Sequence, residues 1–131
     1  MAGFTAAADE GGKPVVQEVG HYSTTISNQP IVLPKGNVEV VASVYSIAPG
    51  QTLPVHRHRY PRYGYVLSGE LTVTNEATNR TQTFGKGQFV VESVLQWHQG
   101  RNAGTSPLEL LVIDQLPQCE NNNTEVRTAQ K

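Results

Sequence analysis

The feature that most constrains this chain is its series of short β-branched runs separated by glycine and proline. Its 131 residues include 12 Gly and 8 Pro, and turn signals such as Pro49-Gly50 and Gly85-Lys86-Gly87 divide the apolar runs. No amphipathic segment of helical length with capping residues is visible, so the pattern predicts strands throughout. Strands are expected near residues 14–19, 30–33, 38–47, 53–58, 63–75, 81–84, 88–92, 98–102 and 108–116. Many short strands at this spacing are typical of an antiparallel sandwich or barrel, which makes the predicted fold class all-β.

The ends of the chain differ in composition from its middle. Residues 1–13 are small and polar, and residues 119–131 form a polar segment, so both are predicted to be poorly ordered. The stretch between them, residues 14–118, is predicted to be a single β-barrel domain. Within it, Gly69 is predicted to mark a bend or bulge. Cys119 is the only cysteine, which excludes an internal disulfide and a multi-cysteine zinc site.

The charge balance excludes some classes of partner. Ten basic and eleven acidic residues give a net charge of −1, so the chain has no general electrostatic reason to bind nucleic acid or an anionic membrane. The apolar runs are too short to cross a bilayer. Residues 1–8 lack the basic and apolar regions of a signal peptide. We therefore expect a cytoplasmic protein, or a periplasmic one if an export signal has been removed.

Three histidines suggest a metal site. His56 and His58 are one residue apart, and because side chains alternate along a strand, both imidazoles project from the same face. His98 follows beside Trp97 at the start of another predicted strand, and a barrel can bring it opposite the pair. Neutral imidazole is a good ligand for transition metals. Two strand histidines can also be ordinary polar residues, and His21, which has no partner nearby, is interpreted in that way.

Fixed spacings around these histidines resemble the two motifs of the cupin superfamily. The first motif runs Gly, five residues, His-x-His and a later Gly, and the second has a Gly, a His and an Asn. The matching residues are Gly50, His56, His58 and Gly69 for the first motif and Gly87, His98 and Asn102 for the second. The resemblance implies a double-stranded β-helix, the cupin jelly-roll β-barrel, of the small single-domain bacterial kind. It also implies a metal pocket formed by His56, His58 and His98.

The chain departs from the cupin pattern near the expected metal. Arg62 stands where the family usually has a ligating Glu, and Ser93 and Leu95 replace the Pro and Gly of the second motif. Three neutral imidazoles leave the charge of a divalent ion uncompensated, which disfavours Mg and Ca. Arg62 is expected to point away from the ion or to pair with a carboxylate. Glu92, on the predicted strand face of Val90, is the candidate carboxylate, with three alternatives: metal ligand, partner of Arg62, or solvent-facing charge.

The implied cofactor is a divalent transition metal, Fe, Zn, Ni or Mn, and the implied partner is a small molecule. One function class is a metalloenzyme that acts on a small organic molecule as an oxygenase, isomerase or hydrolase, with its catalytic residues unknown. The other is a non-catalytic cupin that binds a ligand or metal as a sensor or store. Arg62, Tyr63 and Trp97 are predicted to line the pocket because they neighbour the motif residues.

The sequence also predicts a homodimer. A jelly roll buries an exposed sheet face or edge strand by pairing with a second copy. The strands expected in the first part of this chain are apolar enough on both faces to do so, as the run at residues 38–47 shows.

Overall fold

A computed structural model describes residues 11–128 of the chain. Within this range all regular secondary structure is β, which confirms the predicted fold class. The strands are β1 (Val38–Ile47), β2 (His56–Arg57), β3 (Arg62–Ser68), β4 (Glu70–Asn75), β5 (Arg80–Gly85), β6 (Phe89–Val91), β7 (His98–Arg101), β8 (Leu108–Pro117) and β9 (Glu125–Val126). Over the same residues, no helix has the length and apolar character needed to cross a bilayer.

The strands form two antiparallel sheets that face each other. One has the order β1-β8-β3-β6 and the other the order β5-β4-β7-β2-β9. Strand β8 alternates strictly between buried and partly buried residues, as expected of a strand with one face on a core. The buried side chains between the sheets are Ile47, Val66, Leu71, Val73, Val90, Leu108, Leu110 and Val112. This is the double-stranded β-helix that the sequence predicted.

Gly69 divides the strand predicted over residues 63–75 into β3 and β4. Its φ is +80°, and a Cβ at this position would lie 2.5 Å from the carbonyl oxygen of Pro107. Only glycine combines this left-handed backbone with so close an approach to a neighbouring chain segment. The predicted bend is confirmed. It lets the chain leave the first sheet and enter the second within one residue.

Two predicted strands are absent from the described part of the chain. Residues 14–19 and 30–33 lie outside the sheets, apart from an isolated bridge between Thr24 and Pro30. Their β-branched residues satisfy the strand pattern, but a strand also needs a neighbour for its backbone hydrogen bonds, and neither segment is paired into a ladder. Residues 1–10 of the predicted N-terminal segment lie outside the described residues.

The structure also differs from the predicted domain end at residue 118. Glu125–Val126 form β9, which pairs with β2, and Asn123 is only 3% exposed. The edge of β2 needs a backbone partner, and this polar segment supplies one. The folded body therefore extends past residue 118 to at least Val126, so the segment predicted to be a poorly ordered tail is part of the barrel up to that point.

Candidate metal centre

The three histidines of the sequence motif come together between the two sheets. His56 on β2 lies directly opposite His98 on β7 in the antiparallel register, and His58 follows two residues later on the same side. The ring centroids are 4.5 Å apart for His56 and His98 and 4.9 Å apart for His58 and His98. One ligand nitrogen from each ring lies within 4.8 Å of the other two. All three side chains are buried.

Each imidazole is held by a backbone carbonyl at its Nδ1 atom. His56 Nδ1 lies 2.7 Å from the Pro54 oxygen, and His98 Nδ1 lies 2.9 Å from the Gln96 oxygen. His58 Nδ1 lies 3.0 Å from the oxygen of Asn123. A carbonyl oxygen only accepts, so each Nδ1 carries the proton and donates it. In the neutral imidazoles, each Nε2 consequently keeps its lone pair, as it must in order to bind a metal.

The carboxylate of Glu92 completes this cluster from the opposite sheet. One of its oxygens lies 3.1 Å from Nε2 of His58, and the other lies 3.8 Å from Nε2 of His98. The two Nε2 atoms are themselves 3.2 Å apart. Lone-pair nitrogens and a carboxylate at these distances repel each other unless a proton or a cation lies between them. The donor set of three imidazoles and one carboxylate fits a divalent transition metal.

Burial and the neighbouring charges set the protonation of this cluster. Burial lowers the pKa of His56 from 6.5 to about 4, and burial also lowers the pKa of His98. Burial by itself raises the pKa of Glu92. The adjacent His58 ring, which donates to the carboxylate when its Nε2 is protonated, and the charges of His98 and Arg62 outweigh burial and lower that pKa to about 2. At neutral pH the carboxylate is ionised and His56 is neutral, which is the state that binds a cation.

Arg62 pairs with a carboxylate, as expected, but its hydrogen-bonded partner is Asp114. Nε and Nη2 of Arg62 donate to the two oxygens of Asp114, each over 2.9 Å. The two residues are opposite each other on β3 and β8, so both side chains point between the sheets. Arg62 therefore does not form its direct ion pair with Glu92, and the Glu92 carboxylate faces the histidines instead. The Arg62 positive charge is neutralised within its own pair, which lets the residue stand near a cation.

A small pocket lies beside the cluster. It has a volume of about 160 Å³ and is lined by Tyr45, Leu53, Pro54, His56, Arg62, Thr124 and Val126. Its wall is almost entirely apolar. The volume is smaller than the roughly 300–1,000 Å³ of typical ligand pockets, so the pocket suits only a molecule of a few non-hydrogen atoms.

The other two pocket candidates are placed elsewhere. The Tyr63 hydroxyl lies 3.1 Å from Gln115 Oε1, and the Tyr63 ring packs near Phe89. It leaves β3 on the side opposite to Arg62. The Trp97 ring lies under the guanidinium of Arg57, 4.4 Å from the ring centroid. Of the three predicted residues, Arg62 is the one that lines the pocket beside His56.

Residues that the sequence did not single out support the site. Asp114 neutralises Arg62, and Asn123 supplies the carbonyl for His58. Asp114 lies on the buried face of β8 between Val112 and Leu116. A single carboxylate on an otherwise apolar strand face indicates a buried partner, and the sequence contains this signal. Asn123 stands in a run of asparagines with no distinguishing pattern. The motif residue Asn102 is structural here, since it donates to the carbonyl oxygens of Ile47 and Ser106.

Residues 43–114 match the family described as Cupin domain. The match covers more than half of the chain and includes the three histidines, so the chain belongs to this family. Among proteins with curated descriptions, none matches the chain.

Solved structures support the same fold. The polyketide cyclase RemF from Streptomyces resistomycificus superposes with a TM-score of 0.60 over 79% of this chain and 71% of its own, at 20% identity. The protein TT1209 from Thermus thermophilus is 28% identical, with a TM-score of 0.51 over 60% of this chain and 72% of its own. Oxalate decarboxylase from Lactobacillus farciminis is also 28% identical, with a TM-score of 0.50 over 56% of this chain. This chain spans only 23% of that longer protein.

Proposed function

We propose that this chain is a metal-dependent enzyme acting on a small organic molecule. His56, His58 and His98 hold one divalent transition metal through their Nε2 atoms, and Glu92 is the fourth protein ligand. One observation carries the proposal. The Nε2 atoms of two rings and a buried carboxylate are within 3.1 to 3.8 Å of one another, and the Nδ1 protons of those rings are already committed to carbonyls.

The donor set favours Fe, Zn, Ni or Mn as the metal. Imidazole and one carboxylate suit these ions, whereas Ca and Mg require more oxygen ligands. The first cupin motif usually supplies a glutamate at the position of Arg62. In this chain Glu92, from a different part of the sheet, supplies that negative charge instead. When bound, the metal supplies a Lewis acid with open coordination positions for a substrate oxygen or water.

The chain's own residues would shape and orient the substrate. Leu53, Pro54 and Val126 give the pocket beside His56 an apolar wall, and Arg62 and Tyr45 also line it. The Arg62–Asp114 pair is neutral overall, so the metal centre with Glu92 keeps about one positive charge. A small substrate with an apolar body and a single anionic or oxygen-donor group matches this balance. Oxygenation, isomerisation and hydrolysis all remain open as its reaction.

Elemental analysis of the purified protein tests the metal site directly. We expect about one transition-metal ion per chain in wild-type protein and none in a His56→Ala, His58→Ala double variant, with His21→Ala as the control. Wild-type protein without bound metal, even after incubation with excess Zn²⁺ or Fe²⁺, would overturn the proposal.

A substrate screen then tests the catalytic part. Small carboxylic acids and phenols are incubated with metal-loaded protein, and O₂ consumption and product masses are measured. We expect turnover of at least one compound that is lost in the double variant. Saturable binding without turnover would instead support a non-catalytic sensor or store.

We also propose a homodimer formed through β1. This strand is the edge of its sheet, and Val38, Val40 and Val44 on one of its faces are all exposed, Val40 to 63%. A long exposed apolar edge invites strand pairing or face packing. Light scattering should give twice the chain mass for the wild type and one chain mass for Val40→Lys. The control Thr81→Lys, on the edge strand of the other sheet, should stay dimeric, and a monomeric wild type would contradict the proposal.

The cytoplasm remains our prediction for the compartment, and a small molecule remains our prediction for the partner. Fractionation of cells that express the full-length gene tests the first. The substrate screen tests the second.

A further inference from the structure

The segment of residues 120–127, here called the C-terminal strap, lies across the part of the barrel that carries two of the histidines. Its strand β9 pairs with β2, with Val126 directly opposite His56. The backbone N–H of Arg127 donates to the carbonyl of Val55 over 2.9 Å. The strap thereby closes the free edge of β2, a two-residue strand that has few other restraints.

The strap also supplies the hydrogen-bond acceptor for Nδ1 of one imidazole. His56 and His98 donate to carbonyls two residues before them, Pro54 and Gln96, so the local strand geometry fixes those rings. His58 donates to the carbonyl of Asn123, which is 65 residues away in sequence. Orientation of the His58 ring therefore depends on the strap being docked, whereas orientation of the other two rings does not.

The side chain of Asn123 is the main attachment of the strap. It accepts from the N–H of Tyr60 and donates to the carbonyl of Tyr60 and to Asp114 Oδ1, each over 2.9 Å. The bond to Asp114 is buried and the two bonds with Tyr60 are partly buried, so loss of the side chain would leave a buried acceptor of Asp114 with one bond fewer. The ion pairs of the strap, Arg57 with Glu125, Arg59 with Glu120 and Arg127 with Glu76, are largely exposed. Exposed ion pairs contribute little to stability.

A further contact connects the strap to the other sheet. Arg62 Nη2 donates to the hydroxyl oxygen of Thr124 over 2.8 Å, while the same guanidinium is paired with Asp114. Asp114 thus receives hydrogen bonds from both Arg62 and Asn123. The buried polar network runs from β3 and β8 through the strap to the His58 ring.

We propose that the C-terminal strap is a positioning element of the metal centre and that Asn123 is its positioning residue. The inference rests on the proposed metal site. Docking of the strap fixes the His58 ring with Nε2 aimed at the metal, so docking raises metal affinity. Linkage then requires that bound metal stabilises the docked strap by the same factor. The strap also contributes Thr124 and Val126 to the wall of the pocket beside His56. One segment therefore affects both the orientation of a metal ligand and the shape of the pocket.

The first experiment compares Asn123→Ala with its matched control Asn121→Ala. Asn121 is exposed and lies two residues earlier in the same segment. We expect Asn123→Ala to weaken Zn²⁺ binding by about 10- to 100-fold, the usual effect of removing a group that orients a metal ligand. The visible absorption bands of bound Co²⁺ should also change, because they report the ligand geometry. Asn121→Ala should leave both unchanged.

The second experiment uses wild-type protein only, so it does not depend on a variant that folds. Hydrogen exchange is followed at the amides of residues 123–127 with and without Zn²⁺. We expect Zn²⁺ to slow exchange there, while amides of β5, far from the site, are unaffected.

The outcomes separate the two proposals. A wild type that binds no metal overturns the metal site and, with it, the strap coupling. A wild type that binds metal while Asn123→Ala binds within threefold and shows the same Co²⁺ spectrum overturns the coupling alone. Strap amides whose exchange is insensitive to Zn²⁺ overturn it as well.

Discussion

Replacing Glu92 by glutamine separates a metal-binding role from a structural one. The substitution removes one negative charge and keeps the size of the side chain. In the structure the carboxylate lies 3.1 Å from Nε2 of His58 and 3.8 Å from Nε2 of His98. A metal held by those nitrogens therefore lies within a few ångströms of the carboxylate.

The electrostatic effect of this change is large. Two unit charges about 4 Å apart interact by roughly 4 kcal/mol at an effective dielectric constant of about 20, and a divalent ion doubles this. Two effects offset most of the loss: burying a carboxylate has a desolvation cost that glutamine lacks, and the glutamine carbonyl can still ligate. We expect a net loss of at least about 1.4 kcal/mol, which is a tenfold weaker affinity.

The stability of the metal-free protein should change much less than the metal affinity. Arg62 keeps its pair with Asp114, so Glu92→Gln leaves no buried arginine unpaired. The glutamine amide can donate to Nε2 of His58, where the carboxylate only accepts. The positive neighbours that lower the pKa of Glu92 favour a carboxylate over a neutral amide, so we expect the metal-free variant to lose some stability, but less than the ~3–5 kcal/mol of a broken buried ion pair. A large loss of metal affinity with only a small loss of stability would identify Glu92 as a ligand.

Chelator competition with Zn²⁺ and urea unfolding of metal-free protein measure the two quantities. Glu70→Gln, the same change at an exposed position on β4, is the control and should alter neither. An affinity for Glu92→Gln within threefold of the wild type would refute the assignment of Glu92 as a ligand. A marked drop in metal-free stability would show that the carboxylate serves the fold instead.

Three further predictions follow from the same structure. His98→Ala should reduce the metal content from about one ion per chain to almost none by elemental analysis. The control His21→Ala, at an exposed residue that pairs with Glu18, should retain the metal. Equal metal content in the two variants would contradict the three-histidine site. Gly69→Ala should lower the free energy of unfolding, measured in urea, by about 1–3 kcal/mol more than Gly36→Ala does. Both positions have φ near +80°, but only at Gly69 would a Cβ meet backbone, at 2.5 Å. Similar losses of unfolding free energy would mean that the close approach at Gly69 relaxes easily. The metal-free protein should lose stability as pH falls from 6.5 towards 4, because the unfolded chain binds a proton at His56 in this window and the folded chain does not. The contribution of His56 to the free energy of unfolding is up to roughly 3 kcal/mol. An equally steep pH dependence in His56→Gln would show that His56 is not its source.

Much of the fold and the three histidines of the candidate metal site could be predicted from local pattern. The strand at residues 38–47 has the same bounds in the structure, because its turn signals and β-branched residues are unambiguous. His56 and His58 share a face for the simple reason that strand side chains alternate. His98 could be joined to them through the spacing that resembles the cupin motifs. These features depend on residues that are near each other in sequence or on a known spacing.

The features that could not be predicted all depend on pairing between distant segments. Asp114, and not Glu92, partners Arg62 because β3 and β8 align in a register that no local pattern encodes. Strand β9 exists because β2 has an open edge, although its own two residues have no strong strand pattern. Conversely, residues 14–19 have the pattern of a strand but join no sheet.

The dependence of His58 on Asn123 has a consequence for when the metal can be acquired. A ribosome synthesises the chain from its N-terminus, so all four proposed ligands are made before Asn123. On a nascent chain His58 still lacks the carbonyl that orients it, and the pocket lacks the wall formed by Thr124 and Val126. Full metal affinity is therefore expected only after residue 127 has emerged and docked. Metal loading would then follow the translation and docking of β9.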